Sequence, residues 1–281
     1  MKKSFFMKNI RTFLDLINLS INQKDFISDL VSDRRVLQAI KKWNTQDVPE
    51  KLREFMYKNI VVGKSHSQLQ QDLIASYISE LRNLKSGYFV EFGATNGVDL
   101  SNSFMLEKEL LWNGILAEPG RSWRKELTQN RNCSVDFRCV WKNSGVEIEF
   151  SETSYQRELS TISSFSESDI LAKLRTRHSK YLVQTVSLNE LLSSYNAPRD
   201  ISYLSIDTEG SEYEIISSFD FTHYEFSFIS VEHNFTSNEN LIDRLLKKEG
   251  YIRILPKISE WDGWYVNSKH LDVCDAFRVP H

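Results

Sequence analysis

One stretch of ten residues constrains the fold more than any other part of the sequence. Residues 88–97, which read YFVEFGATNG, pass from a row of aromatic and β-branched residues directly into a turn with two glycines. The apolar row is typical of a buried strand, and glycines after it allow positive φ and a close approach of a ligand. A helical pattern over 104–112 and a second apolar strand over 114–117, ending at Glu118, follow. This order predicts a βαβ unit with a nucleotide-type site, where a late acid accepts hydrogen bonds from ribose hydroxyls.

The spacing of the glycines distinguishes this turn from a dinucleotide-binding turn. Gly93 and Gly97 form a G-x-x-x-G pattern, whereas the dinucleotide pattern is G-x-G-x-x-G. With Glu91 on the strand and Glu118 as the late acid, the pattern resembles motif I of S-adenosylmethionine-dependent methyltransferases. An acid on the strand suits this ligand, which carries an ammonium and a sulfonium group but no pyrophosphate. We therefore predict an S-adenosylmethionine site, with a purely structural βαβ turn as the alternative.

Composition and charge argue against several other classes of protein. The chain has 281 residues, of which 41% are hydrophobic and 26% are charged, as in an ordinary globular protein with one large or two modest domains. A formal net charge of -3 gives no reason to expect a nucleic-acid partner, which would favour a concentrated basic face. The three cysteines form no C-x-x-C pair and are expected to be free thiols in a reducing compartment.

The first 60 residues have apolar residues at helical spacing, with a break at Pro49. Lys8, Arg11 and Asp15 interrupt the first apolar run, so we predict neither a secretory signal nor a transmembrane segment, and we expect a cytoplasmic protein. This segment could be a lid over the site, an oligomer contact or a membrane-surface helix. Simple packing against the main domain is the interpretation that we favour. The oligomeric state is left open by the sequence.

After residue 60, predicted strands alternate with predicted helices. Strands are predicted over 133–140, 146–150, 201–206, 226–231, 251–255 and 264–266, in addition to the two of the βαβ unit. Helices are predicted over about 65–84, 121–130 and 241–249, and a strand end leads into a short helix over 185–192. Residues 151–169, rich in serine and glutamate, are predicted to form either a mobile loop beside the site or a surface insertion. The alternation predicts an α/β fold whose mostly parallel sheet is covered on both faces and binds ligands where its strands end.

The segment over 203–215 carries the most specific family resemblance. It reads YLSIDTEGSEYEI and is similar to the I-D-x-E-G-x-E hallmark of the FkbM family of S-adenosylmethionine-dependent methyltransferases. Supporting matches in family order are FVEFGA at 89–94, Ser101-Asn102, LEK at 106–108, Trp112-x-Gly114, Ala117-Glu118-Pro119 and Thr185-x-x-Leu188. With the entry segment Ser67-Gln68-x-x-Gln71-Asp72, the resemblance covers residues 66–266. The chain departs from the family at Asn96-Gly97, where Asp-Gly is common, so Asn96 brings no charge to the cofactor.

The resemblance implies a fold and a reaction. It implies a Rossmann-like class I methyltransferase fold over residues 61–281, with a seven-stranded, mostly parallel sheet and an antiparallel last strand, preceded by a helical N-terminal extension over residues 1–60. It implies O-methylation with S-adenosylmethionine, and acceptors in such families are sugars, glycolipid or polysaccharide units and secondary metabolites. A small-molecule or glycan acceptor is therefore the expected partner. The alternative is a methyltransferase fold that serves as a binding or scaffold module without catalysis.

The resemblance and the residue pattern together indicate a cofactor site. Its predicted residues are Glu91, Gly93, Gly97, Ser101, Asn102, Glu118 and Asp207. Glu91 is expected near the methionyl amine and Glu118 at the ribose, while the backbone at the two glycines approaches the ligand. For Glu91 the alternative is a strand acid that a neighbouring helix N-terminus satisfies. For Ser101 and Asn102 the alternative is capping of the helix that follows.

The catalytic residues are expected at two neighbouring strand ends. Methyl transfer from a sulfonium is an in-line displacement, so the protein must align the acceptor oxygen and help to remove its proton. The candidate catalytic residues are Asp207, Glu209 and His233. Asp207, Glu209 and Glu212 are three acids within six residues. Such acids repel one another unless a cation or hydrogen-bond donors offset their charge. For Glu212 we favour helix capping.

Two hypotheses for acceptor activation stay open. In the first, the site is metal-free and His233 takes the proton as general base. In the second, Asp207 and Glu232 bind Mg²⁺, with Asn234 as a further candidate ligand, and the ion lowers the pKa of a bound hydroxyl. We favour the metal-free site, because histidine is a poor ligand for magnesium and the residues after the strand are not the usual acid–amide dipeptide.

Overall fold

The computed structural model describes residues 34–154, 156–166, 173, 175 and 177–279. The part of the predicted helical pattern that falls in residues 1–33 lies outside these described residues. The description begins with two helices, α1 Arg34–Trp43 and α2 Glu50–Val61. Pro49 directly precedes α2 with φ of -56°, a value that its ring sets and that leads into a helix without strain. One face of α2 is buried, including Leu52 and Met56, as its apolar spacing predicts.

The contacts of the chain divide it into two compact units. One contains the described residues up to Ser65 together with those from Asp275 onward, and the other is His66–Cys274. The second unit contains all the predicted site residues. The predicted division into a helical extension over 1–60 and a second domain over 61–281 stays a prediction. No helix in the described part of the chain combines the length and the apolar character that crossing a membrane requires.

Eleven strands form within the described residues, and all of them belong to the second unit. They are β1 Tyr88–Phe92, β2 Asn113–Ala117, β3 Ser134–Asp136, β4 Cys139–Val140, β5 Glu147–Thr153, β6 Thr161–Ile162, β7 His178–Val186, β8 Asp200–Ile206, β9 Glu225–Glu232, β10 Tyr251–Ile254 and β11 Asp262–Asn267. The main sheet has seven strands in the order β10-β11-β9-β8-β1-β2-β3. Its neighbouring strands are parallel except around β11, which runs antiparallel to β9 and β10. The predicted Rossmann-like fold, with its antiparallel last strand, is confirmed.

Helices connect these strands and cover the main sheet. They are α3 Gln71–Leu81, α4 Phe104–Lys108, α5 Arg124–Asn130, α6 Leu188–Ser194, α7 Glu212–Ser217, α8 Asn238–Lys248 and α9 Leu271–Ala276, with short 3-10 turns at Arg157–Leu159 and Ser163–Phe165. The central strands are buried on both faces, as the near-continuous apolar sequences of β1, β8 and β9 require. Side chains from these strands, such as Val90, Leu204 and Ile229, form the main core.

A second sheet of four strands, in the order β4-β7-β5-β6, was not anticipated from the sequence. Its longest pairing joins β5 and β7 in antiparallel register, from Glu147 opposite Gln184 to Thr153 opposite His178. The prediction of a loop over 151–169 is wrong for much of the described part of this segment. The first residues of the segment complete β5, and residues further along form β6. The sequence analysis placed only a strand end near residue 185, because β7 begins with three consecutive exposed polar residues, His178, Ser179 and Lys180.

One predicted strand is in fact two strands in different sheets. The segment over 133–140 forms β3 in the main sheet and β4 in the second sheet. The chain turns between them because Arg138 bonds back to Asp136, both through its backbone N–H (2.8 Å) and through its guanidinium group (2.6 Å). This short-range ion pair ends β3 after three residues.

Two predicted helices are shorter than their patterns suggested. The helix expected from about residue 65 begins at Gln71, because Gln70 has φ of 65° and a left-handed residue cannot continue a right-handed helix. The helix expected over 104–112 ends at Lys108, and Leu111, with φ of 55°, turns the chain into β2.

A buried arginine joins the glycine turn after β1 to the start of α4. Arg131 directly follows α5, and its side chain has no exposed surface. Its guanidinium group donates to the carbonyl oxygen of Gly97 (3.0 Å) and to the hydroxyls of Ser101 (3.1 Å) and Ser103 (2.9 Å), and it pairs with the Glu107 carboxylate (2.6 Å). One planar cation thus satisfies acceptors on two segments that meet beneath the end of β1. The sequence analysis missed this residue.

Replacing Arg131 with methionine should destabilise the protein, because the buried Glu107 carboxylate would keep only the partly exposed Lys108 as counter-ion, and the acceptors on Gly97, Ser101 and Ser103 would lose a donor. Removing one partner of a buried ion pair typically costs about 3–5 kcal/mol. Lys142→Met is the matched control, since Lys142 pairs with Glu214 where both side chains are exposed, and such pairs contribute less than about 1 kcal/mol. The measurement is the free energy of unfolding in urea. Equal losses in the two variants would contradict the proposed role of Arg131.

Candidate active site

The C-terminal ends of β1, β8 and β9 border a cavity of about 390 Å³. This volume falls within the range of roughly 300–1,000 Å³ that is usual for small-molecule sites. A second cavity of about 40 Å³ lies beside it, and the two share Phe92, Gly93 and Asp207 in their walls. Both occupy the edge of the sheet where parallel strands end, which is where such folds bind ligands.

Most of the predicted site residues line these two cavities. The larger cavity is lined by Glu91, Gly93, Ser101, Asn102, Asp207, Glu209 and Glu232, and the smaller one by Gly93, Glu118, Asp207 and Glu209. Among the described residues that line them, neither Gly97 nor His233 is found. The structure therefore brings most of the predicted site together and leaves two of its members outside.

Glu91 is buried, and residues at the start of α4 donate hydrogen bonds to its carboxylate. Oε1 accepts the N–H of Asn102 (2.7 Å), and Oε2 accepts the hydroxyls of Ser101 (3.0 Å) and Ser103. Arg131 Nη1 lies 3.9 Å from Oε2. These contacts are those of the alternative interpretation, in which a neighbouring helix start satisfies the strand acid. Because the carboxylate also lines the larger cavity, its contact with a ligand stays a prediction.

The two glycines of the turn make room for other parts of the protein. Gly93 has φ of 72°, and a Cβ at this position would lie 2.0 Å from the carbonyl oxygen of Asp207. Gly97 has φ of 79°, and a Cβ there would lie 2.7 Å from both Arg131 Cγ and Leu127 Cδ1. Gly97 thus packs against Arg131 and the α5 residue Leu127 and lines neither cavity, and the approach of its backbone to a ligand stays a prediction. Gly93 lines both cavities.

Asn102 carries a buried polar atom without a partner. Its Nδ2 donates to Ser205 Oγ (2.9 Å), whereas its Oδ1 has no hydrogen-bond partner among the described residues. The residue is 7% exposed and lines the larger cavity. A buried amide oxygen without a donor carries a desolvation cost, so this atom suits a donor group on a bound molecule.

Glu118 follows β2 directly, and its carboxylate is held by two backbone N–H groups. Oε1 accepts from Gly120 (2.7 Å) and Oε2 from Thr95 (2.9 Å). Burial raises the pKa of Glu118 to about 7, the two N–H groups oppose this rise, and the nearby Glu152 carboxylate adds to it. Glu118 therefore changes its ionisation near neutral pH, at the wall of the smaller cavity.

Asp207, Glu209 and Glu232 lie together where β8 and β9 end. Each offers one carboxylate oxygen, and these oxygens lie within 4.8 Å of one another. Burial raises the pKa of Asp207 well above its ordinary value, and the negative charges of Glu209 and Asp262 add to the rise. Burial, followed by the charge of Asp207, likewise raises the pKa of Glu232. Asp207 and Glu232 therefore form a carboxyl pair that shares a proton more readily than two isolated acids would.

An arginine from the segment between β6 and β7 pairs with Glu209. Arg175 Nη2 lies 2.7 Å from Glu209 Oε2, and both side chains are buried. Arg175 Nε also donates to the carbonyl oxygen of Leu159 (2.9 Å), and Thr161 Oγ1 donates to that of Glu209 (2.9 Å). Glu209, predicted as catalytic, is thereby engaged in holding this segment against the turn after β8. Sequence reasoning missed Arg175, which lies in no recognisable local motif.

Glu212 stabilises the same turn from the other side. Its Oε1 accepts the backbone N–H groups of Thr208 (2.9 Å) and Gly210 (2.9 Å). Its carboxylate is buried at the first residue of α7. These bonds match the structural, cap-like role that the sequence analysis favoured over a catalytic one.

The ring nitrogens of His233 have neighbours of their own, and the residue lines a further cavity of about 250 Å³ together with Glu232 and Asn234. Nδ1 accepts the backbone N–H of Phe235 (3.1 Å), so the neutral ring carries its proton on Nε2, which lies 3.7 Å from Glu239 Oε1 and 3.4 Å from Arg253. Burial lowers the pKa of His233, which keeps the ring neutral. With its one lone pair engaged, the ring cannot accept a proton from a ligand in the larger cavity. These contacts do not favour His233 as general base, and that role stays a prediction.

Comparisons with known proteins give a family model that matches the chain and solved structures that are similar at low identity. The family model of the methyltransferase FkbM domain matches residues 91–253. The crystal structure of methyltransferase FkbM from Methylobacillus flagellatus KT is similar at 12% identity and a TM-score of 0.40, covering 85% of this chain and 60% of that chain. That of precorrin-6y C5,15-methyltransferase from Geobacter metallireducens GS-15 is similar at 12% identity and a TM-score of 0.35, covering 69% of this chain and 86% of that chain. A comparison with curated proteins gives no match.

Alanine in place of Gly93 should separate the ends of β1 and β8, because its Cβ would overlap the Asp207 carbonyl oxygen. Gly145→Ala is the matched control, since Gly145 has the same φ of 72° with nothing within 4 Å of its Cβ position. The control substitution should cost only the free energy of placing alanine in a left-handed conformation, about 1–2 kcal/mol. Gly93→Ala should cost about 1–3 kcal/mol more through overpacking. Equal free energies of unfolding in urea for the two variants would contradict the close approach.

Proposed function

The chain belongs to the FkbM methyltransferase domain family, and we propose on that premise that it transfers a methyl group from S-adenosylmethionine to a hydroxyl group of a sugar, a glycan unit or a small metabolite. The observation that carries the proposal is the composition of the larger cavity. Its wall combines the acids Glu91, Asp207 and Glu232 with the unpartnered oxygen of Asn102. Acceptor-only groups of this kind suit a co-substrate with an ammonium and a sulfonium group.

The described residues fit the parts of S-adenosylmethionine. Val140, Phe150 and Ile162 give the smaller cavity an apolar surface, which would contact an adenine ring only after this cavity of about 40 Å³ widens. In the same cavity, Glu118 would accept hydrogen bonds from ribose hydroxyls, and in the larger one Asn102 Oδ1 would accept them from the methionyl ammonium group. When bound, S-adenosylmethionine supplies a methyl group on a sulfonium, which an oxygen nucleophile displaces in line.

We assign the removal of the acceptor proton to Asp207 and Glu232. Both line the larger cavity, and burial raises the pKa of each carboxyl group. A carboxyl group whose pKa lies closer to neutral pH is a stronger base than an ordinary carboxylate. Glu232 Oε2 has no hydrogen-bond partner among the described residues, so it can accept the hydrogen bond of an acceptor hydroxyl. The proton then passes to this carboxyl pair as the new C–O bond forms.

A divalent ion held by Asp207 and Glu232 is the competing hypothesis. The carboxylate oxygens of these two residues and Glu209 lie close enough together to bind one. Arg175 already pairs with Glu209, however, and so offsets part of the charge that a cation would neutralise. We therefore propose the metal-free mechanism, in which transfer continues in EDTA. Activity that EDTA abolishes and magnesium restores would favour the ion.

The test of this function does not require the acceptor to be identified first. The purified full-length protein is incubated with S-adenosylmethionine bearing a deuterated methyl group and with extracts of glycans and small metabolites. Mass spectrometry should reveal a deuterated methyl ether in one component. Asp207→Asn should slow its formation by about 10²–10⁴-fold, as expected for loss of a general base, while calorimetry shows that the cofactor still binds. A protein that binds NADH and no S-adenosylmethionine would contradict the proposal.

The ionisation of Glu118 should make nucleoside binding depend on pH. Adenosine carries the ribose hydroxyls without the charged methionyl part, and its hydroxyls prefer the ionised carboxylate. Burial raises the pKa of Glu118 to about 7, so this carboxyl group is mostly ionised at about pH 8 and mostly protonated at about pH 6. Because binding at the lower pH first requires the Glu118 proton to be removed, the affinity for adenosine should be roughly tenfold weaker at about pH 6 than at about pH 8.

Two variants complete this measurement, which is made by calorimetry. Glu118→Gln should bind adenosine more weakly and with no dependence on pH over this range. Glu147→Gln, which changes an exposed acid on β5, should behave as the unmodified protein does. An affinity of the unmodified protein that is constant with pH would show that Glu118 does not contact the ribose.

A further inference from the structure

We propose that the acceptor binds across Asn234 and Phe235, at the end of β9, and that it is a neutral or amine-bearing sugar ring rather than a phosphorylated, sulfated or carboxylated one. This inference rests on the proposed methyl transfer and names the substrate class for it. Its basis is a pair of cavities that meet at Glu232, together with the charge and the apolar rim of their walls.

A third cavity, of about 250 Å³, is lined by Glu232, His233 and Asn234 around the end of β9. Glu232 and Asn234 line both this cavity and the larger one, so they form the wall between them. The remaining lining of the third cavity is mostly polar and includes Thr236, Ser237 and Asn238. Hydroxyl and amide groups at this spacing match the hydroxyl groups of a sugar, which both donate and accept hydrogen bonds. A sugar ring whose reacting hydroxyl is at Glu232 can therefore extend into polar surroundings.

Glu232 itself requires a donor. The residue is 8% exposed, and its Oε2 has no hydrogen-bond partner among the described residues. A buried carboxylate oxygen is an acceptor only, and leaving it without a donor is costly. Apart from the proton that Glu232 shares with Asp207, a donor must come from a molecule in one of the two cavities, and a hydroxyl or an ammonium group fits this requirement. A phosphate, sulfate or carboxylate group brings no such donor.

The charge of the cavity walls also favours a neutral or amine-bearing acceptor over an anionic one. Seven carboxylates line the larger cavity, namely Glu91, Asp99, Glu158, Asp207, Glu209, Glu232 and Asp262, and none of the described lining residues of this cavity or the third one is a lysine or an arginine. Arginines behind the wall compensate two of the seven, since Arg131 lies near Glu91 and Arg175 pairs with Glu209. Even with one proton shared between Asp207 and Glu232, the acids of the wall outnumber the arginines behind it, so an anionic group beside Glu232 would be repelled.

The mouth of the larger cavity adds an apolar rim suited to the carbon face of a ring. Phe235 is 66% exposed and Leu100 is 51% exposed, and both line this cavity. Their φ angles are 55° and 59°, and Asn234 before Phe235 has φ of 46°. Bulky residues rarely adopt this left-handed conformation, and such strain is found mainly at functional sites. The backbone thus holds two apolar side chains in solvent beside a polar cavity.

The test uses the full-length protein saturated with S-adenosylhomocysteine, whose binding is first measured by calorimetry. Saturation-transfer NMR then compares the methyl glycosides of glucose, galactose and mannose with their 2-amino and uronate counterparts. At least one neutral or amino glycoside should bind, and every uronate should bind at least about tenfold more weakly than its neutral counterpart. Glu232→Gln keeps the shape of the side chain without its charge and should reduce this difference.

A matched pair of variants tests the apolar rim. Phe235→Ala should weaken the binding of the neutral glycoside roughly threefold to tenfold, as for loss of an aromatic contact. Leu182→Ala removes a side chain of similar exposure, 56%, that lies on β7 and lines none of the three cavities, and it should leave binding unchanged. Preference for uronates, or binding of no glycoside by protein that binds S-adenosylhomocysteine, would overturn the sugar site alone. Failure to bind S-adenosylhomocysteine would instead overturn the proposed function.

Discussion

The burial of carboxylates at the ends of parallel strands is the constraint on which the rest of this structure depends. A carboxylate removed from water must find donors or a counter-ion, or else it takes up a proton. Glu91 finds its donors at the start of α4, Glu118 in the backbone N–H groups of two turns, and Glu212 in the turn after β8. Much of the irregular backbone around the site is therefore arranged to supply N–H groups and hydroxyls to acids.

The acids at the ends of β8 and β9 are the exception to this rule. Asp207 and Glu232 face each other's charge, and one oxygen of Glu232 has no partner among the described residues. Among the described residues, the protein thus supplies donors to most of its buried acids but leaves one oxygen of Glu232, which lines both the larger cavity and the third one, without a partner. In the proposed reaction the acceptor proton moves to Asp207 and Glu232. The acids whose charge is least stabilised therefore lie where the reaction changes the charge.

Sequence patterns predicted the fold well, because β1, β8 and β9 are near-continuous apolar runs and parallel strands end at one edge of a sheet. The same logic placed Glu91, Asp207 and Glu232 around one cavity. It could not choose between Glu232 and His233, since neighbouring residues at a strand end point in different directions and only the packed structure shows which faces the site.

The partners of the acids were also beyond the reach of sequence patterns. Arg131 pairs with an acid 24 residues away, and Arg175 with one 34 residues away. No short motif encodes contacts of this range. The second sheet was missed for a related reason, because its edge strand β6 has only two residues and depends on pairing with β5.

The ion pair between Arg175 and Glu209 has a consequence for how the site responds to its surroundings. Both side chains are almost fully buried, so dissolved ions cannot screen their attraction as they screen the exposed pairs of the surface. Arg175 should therefore stay paired with Glu209, in the turn after β8, at high ionic strength. Separating the two would require both charges to be hydrated, so hydration rather than salt limits the strength of this contact.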